Sequence, residues 1–150
     1  MVIRNILFFL LLGMALPVQA TLVLEISGAG VREIPISIVP FSGEEGLTQK
    51  ISTVIANDLR RSGLFRLVET AGKAPHEMRD VSYADWADVD GLAIGSAQVL
   101  PDGRVEGKFR LLDTHKQSQL LGQSVAAKGD QVRAIAHRIA DMIYEKFTGD

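Results

Sequence analysis

The segment that most constrains this chain is residues 34–69, IPISIVPFSGEEGLTQKISTVIANDLRRSGLFRLVE. Its hydrophobic period changes twice, and each change implies a change of backbone geometry. Ile34, Ile36, Ile38 and Val39 are β-branched and read as a strand, closed by Pro40, which cannot continue a hydrogen-bonded ladder. Ser42 and Glu45 then stand at the spacing of a capping box. Leu47, Ile51, Val54, Ile55 and Leu59 follow at steps that place all five on one helix face. Gly63 ends the helix, because glycine takes the left-handed cap conformation without a Cβ penalty. Phe65, Leu67 and Val68 open a second extended segment. Strand, helix and strand in so short a span predict a right-handed parallel crossover.

The C-terminal part reads differently. Residues 92–100 form an apolar strand, and Pro101, Asp102 and Gly103 form a turn. Residues 104–113 alternate, with Val105, Gly107, Phe109 and Leu111 on one face and Arg104, Glu106, Lys108 and Arg110 on the other. That pattern predicts a strand with one face in the core and one in water. A turn at residues 114–116 and a strand over residues 120–127 complete a three-stranded antiparallel meander. Asp130 is the expected cap of a last helix whose apolar stripe is Val132, Ile135, Ala136, Ile139, Met142, Ile143 and Phe147. The mixed charges opposite that stripe fit a helix packed on a sheet better than one lying on a membrane. Between the two parts, residues 70–79 read as a polar surface loop. Tyr83, Trp86 and Ala87 read as a short helix with Trp86 as core anchor, and Ser82 and Asp85 repeat the capping-box spacing. The fold class is therefore α/β (α+β), a mixed sheet with helices packed on it.

The start of the chain carries a targeting signal. Arg4 precedes an apolar run over residues 6–16, Pro17 breaks it, and Val18 and Ala20 are the small residues a signal peptidase inspects. The run falls short of the ~20 residues that span a bilayer. The expectation is a cleaved signal over residues 1–20, a mature start at Thr21, export to the periplasm, and no membrane insertion after cleavage. Thr21, Leu22, Val23, Leu24, Glu25 and Ile26 form a short β-type segment, followed by a flexible hinge at Ser27, Gly28, Ala29 and Gly30. Two readings stand for this arm: an edge strand of the domain, or a mobile arm that adds itself to a partner's sheet.

Composition excludes several classes. The chain has 150 residues, enough for one domain with a real core. Its net charge of -2 lacks the basic surplus of a nucleic-acid binder. With Cys 0, disulfides, thiolate zinc sites, cysteine nucleophiles and a lipid-bearing N-terminal cysteine are all excluded. His76, His115 and His137 have no metal-ligand partner at helical spacing. Gly28 and Gly30 open like a dinucleotide loop, but Glu33 stands where the third glycine belongs. Asp85, Asp88 and Asp90 lack the spacing of a calcium loop. No catalytic constellation, metal site or cofactor site is expected.

One family joins these pieces. The TLVLEISGAG arm, the IPISIVPF strand, the helix closing in DLRRSGLF, the YADW segment before DVDGLAIGSAQV, the GRVEGKFRLLDT strand and the last helix ending in YEKFTG resemble the N-terminal domain of the TolB family, in the family's order. The resemblance covers the whole mature chain. It implies a fold similar to anticodon-binding-type α/β domains, and a non-enzymatic periplasmic adaptor of the Tol-Pal system that supports outer-membrane integrity and cell division. It also implies that Thr21, Leu22, Val23, Leu24, Glu25, Ile26, Ser27 and Gly28 bind the C-terminal domain of TolA. The Pal lipoprotein would be bound by a β-propeller, whose junction the resemblance places at Asp150. Alternatives are a lipoprotein-like assembly factor sharing the strand-helix-strand unit, or a small-ligand-binding module. The missing cysteine counts against the first, and only Trp86 and scattered acids favour the second.

Overall fold

The structure, a computed structural model, describes residues 32–149. The expected signal over residues 1–20 and the arm over residues 21–28 lie outside the described residues. Six strands form one mixed sheet. β1 (Ile34–Ile38) lies between β3 (Phe65–Leu67) and β4 (Gly91–Val99), parallel to both. The registers are Ile36 opposite Leu67 and Ile36 opposite Gly91. Both faces of β1 are covered: Pro35, Ile36 and Ser37 are all buried, although isoleucine alternates with proline and serine along the strand. β4, β5 (Arg104–Asp113) and β6 (Ser118–Lys128) form the expected antiparallel meander, giving the order β3-β1-β4-β5-β6.

Ser42 departs from the capping-box expectation. After Val39, Pro40 and Phe41 the chain rejoins the same neighbour. Ser42–Gly43 forms β2, parallel to β4, with Ser42 opposite Ser96 and Gly43 opposite Ala97. The segment is held in the ladder, with the Ser42 hydroxyl directed at the Gly95 carbonyl 3.5 Å away. Glu44 is therefore the N-cap of helix α1 (Glu45–Arg61), with no side-chain capping bond. Ser52, one turn and more inside the helix, anchors this approach instead by accepting the Phe41 N–H at 3.0 Å.

The helical stripe holds. Thr48, Ile51, Val54, Ile55 and Leu59 are buried, and Leu47 is half-buried. Gly63 follows the helix with φ +73°. The last helix, α2 (Val132–Thr148), buries Val132, Ile135, Ala136, Ile139, Ala140 and Ile143. Met142 and Phe147 are only partly buried. Asp130 does not cap it. Asp130 lies within a 3₁₀ turn, Gly129–Gln131, so the cap position falls on Gln131, again with no side-chain bond. Ser82 likewise makes no capping bond with its side chain to the 3₁₀ turn Tyr83–Trp86.

Both helices cover one face of the sheet. α1 packs on β1, β2, β3 and β4, and α2 on β5 and β6. Ile36, Phe65, Ala93, Phe109 and Leu111 meet Ile51, Ile55, Leu59, Ile135 and Ile139 there. A smaller cluster occupies the other face: Val39, Trp86, Val89, Leu92, Ile94 and Leu112, flanked by Val68, Met78 and Val81. Trp86 is 4% exposed, the core anchor the sequence predicts. Two hydroxyls here are satisfied: that of Ser37 donates to the Val68 carbonyl at 2.6 Å, and that of Thr114 to the Val89 carbonyl.

Gly43 has φ +126°, and a Cβ there would sit 2.1 Å from the Ala97 carbonyl oxygen. Gly43→Ala is expected to cost about 3 kcal/mol or more, combining backbone strain with a clash inside the ladder. Gly46→Ala, where a Cβ meets nothing within 4 Å, is expected to be neutral or stabilising by up to ~1 kcal/mol. Urea unfolding of both variants checks the pair.

Candidate functional site

The partner-binding segment named from the sequence, residues 21–28, lies outside the described residues. Among the described residues no group of histidine and acidic side chains is arranged to hold a metal ion. The three histidines are dispersed. His115 bonds Asp90 at 2.9 Å beside the β5–β6 turn, His137 on α2 bonds Asp58 on α1, and His76 lies in the loop over the sheet. Among the described residues no serine hydroxyl bonds a histidine ring, the contact a serine nucleophile needs. No described helix is long and apolar enough to cross a membrane.

A cleft lies on the sheet face opposite the helices. The Trp86 cluster covers β1 and the start of β4, and leaves β5 and β6 open on that side. Strand register stacks three rows there: Ile94, Arg110 and Gly122; Ser96, Lys108 and Ser124; Gln98, Glu106 and Ala126. An irregularity between Leu111 and Leu112 re-aims β6, setting Gln119 opposite Leu112 on the same face. The loop bearing His76 and Glu77 forms the wall. Together these enclose about 440 Å³.

Its electrostatics are paired. Arg110 donates to Glu77 at 2.9 Å, tying wall to floor. Glu106 accepts from Ser124 at 2.7 Å and from Gln98 at 2.9 Å, with Lys108 at 3.3 Å. The Ser124 and Gln98 hydrogen bonds, then Lys108, hold the Glu106 carboxyl below its usual range. The His76 Nδ1 atom is buried and has no partner. Sequence reading missed the cleft, since its residues come from four separated segments. The one available signal was Lys108 and Arg110, two cations at strand spacing on the polar face of β5.

The second charged site joins the helices. Asp58 accepts from His137 across the α1–α2 interface and from Arg61 at 2.5 Å along α1. Burial opposes ionisation of Asp58, but the bonds from His137 and Arg61 outweigh it and bring its carboxyl below the usual value.

These features define an α+β domain, two helices on one face of a six-stranded mixed sheet, whose described surface is built for hydrogen bonds and ion pairs. Residues 22–120 match the TolB amino-terminal domain. The Tol-Pal system protein TolB of Nitrosomonas europaea is 48% identical over 153 residues, covering 98% of this chain and 36% of that protein. That of Nitrosospira multiformis is 49% identical over 148 residues, covering 97% and 34%. The crystal structure of TolB from Acinetobacter baumannii superposes with a TM-score of 0.67 at 28% identity, over 79% of this chain and 29% of that one. The chain belongs to the TolB amino-terminal domain family. It spans about a third of the length of these curated relatives.

The Asp58 pairing makes stability depend on pH. A carboxyl depressed in the folded state stabilises above its unfolded pKa and loses that contribution as pH falls through the folded value. Wild-type stability is expected to drop below pH ~4 more steeply than that of Asp58→Asn, which is less stable at pH 7. Denaturant midpoints across pH 2–7 check the sign.

Proposed function

We propose that this chain is the partner-recognition domain of a non-enzymatic periplasmic adaptor of the Tol-Pal system. Residues 1–20 direct export and are removed. The mature N-terminal segment, Thr21 to Gly28, binds the C-terminal domain of TolA by adding a strand to its sheet. The domain of residues 21–150 carries that arm, and Pal is engaged through a propeller domain where one is present. The role served is outer-membrane integrity and constriction at division.

The observation that carries this reading is the breadth of the family match. Relatives named Tol-Pal system protein TolB align with 97–98% of the chain, and the family match begins at Leu22, inside the proposed arm. The arm's own chemistry supports the same role. A short apolar segment of β character next to Ser27, Gly28 and Gly30 can pair through its backbone at little conformational cost at a terminus.

Calorimetric titration tests it. Residues 21–150 are expected to bind the TolA C-terminal domain with saturable heat, and a version starting at Gly30 to give none. The precursor retaining residues 1–20 is expected to bind no better than the version lacking the arm, because the signal occupies the arm's terminus. Equal binding by the mature and arm-less forms would overturn the site, and equal binding by precursor and mature forms would overturn the need for cleavage.

A further inference from the structure

The cleft over β5 and β6 has hydrogen-bonding capacity that the fold does not use. Ser96 and Gln119 line it, and neither side chain has a hydrogen-bond partner among the described residues. The buried His76 Nδ1 is also unpartnered. An amide, a hydroxyl and an imidazole at one site, at a volume near the lower end of the ~300–1,000 Å³ that ligand clefts occupy, suit a polar molecule with several donors and acceptors. Ile94 supplies the little apolar lining.

Charge narrows the class. Arg110 is the group that presents a planar fork to carboxylates. Its present partner, Glu77, belongs to a loop and not to the sheet, and both side chains are about half exposed, at 43% and 53%. A ligand carboxylate can replace Glu77 on Arg110 with no change in the charge beside the guanidinium, so no unpaired charge is left buried. Lys108 stands one row away on the same strand face, already held by Glu106. One exchangeable cation beside a neutral amide, a hydroxyl and an imidazole fits a single terminal carboxylate followed by peptide amides better than a polyanion. We infer that this cleft takes the C-terminal carboxylate of an extended peptide a few residues long, in competition with Glu77 for Arg110.

The site contains none of residues 21–28, and its test does not use TolA. The probes are N-acetyl-trialanine as the free acid and as the C-terminal amide, titrated into isotopically labelled residues 21–150 and followed by NMR. The acid is expected to shift signals of His76, Glu77, Arg110 and Gln119 saturably at millimolar concentration, and the amide to leave them in place. Arg110→Gln is expected to weaken binding about tenfold. Glu77→Gln, which frees Arg110, is expected to tighten it about two- to fivefold, the scale of an exposed ion pair. Equal response to acid and amide, no shift in the cleft with either, or a Glu77→Gln variant that binds no tighter would each overturn the inference. Wild-type-like spectra elsewhere establish that both variants fold.

Discussion

Everything in this domain depends on the pairing of β4. It pairs with β1 and then β2 along one edge and with β5 along the other. It is buried on both faces as well. Ala93 and Ala97 sit under the helices, while Leu92 and Ile94 sit under the Trp86 cluster. Small residues on the helix side let α1 and Phe41 approach closely; a Cβ at Gly95 would lie 2.8 Å from the Phe41 ring. The parallel and antiparallel parts of the sheet share this one strand, so an error in its register would displace both cores.

The asymmetry of the two faces follows from connectivity. Among the described residues both helices lie on one side, and the other side is covered by Val39 and by the segment between β3 and β4. That segment brings Trp86 and Val89 over β1 and β4 but does not reach β6, whose residues on that face remain exposed. An open, polar half-sheet beside a loop wall is the result, and the cleft with Arg110 and Glu77 is its deepest part. The helix layer is joined differently, through apolar contact plus the Asp58, His137 and Arg61 bonds.

How much of this was legible in the sequence depended on whether the signal was periodic or local. Periodicity served well. The β-branched run gave β1, the stripe of Ile51, Val54, Ile55 and Leu59 gave α1, and the alternation from Arg104 to Asp113 gave β5 with the correct faces. Local cap motifs served poorly. Ser42 and Glu45 have the right spacing, but pairing of Ser42 with Ser96 claims the backbone that a cap would need. Asp130 precedes an apolar stripe, but a 3₁₀ turn intervenes. Both are cases of tertiary pairing overriding a few-residue motif. The cleft was not legible, because register between strands, and not spacing along the chain, brings Ser96, Lys108 and Ser124 into one row.

Binding through residues 21–28, as proposed, need not disturb the core. The most direct measurement is an NMR map of residues 21–150 with and without the C-terminal domain of TolA. The account predicts that the largest changes fall on Thr21 to Gly28, while the amides of β4 and of both helices keep their positions. Changes centred on β5, β6 or the helices, with the signals of residues 21–28 unmoved, would contradict it.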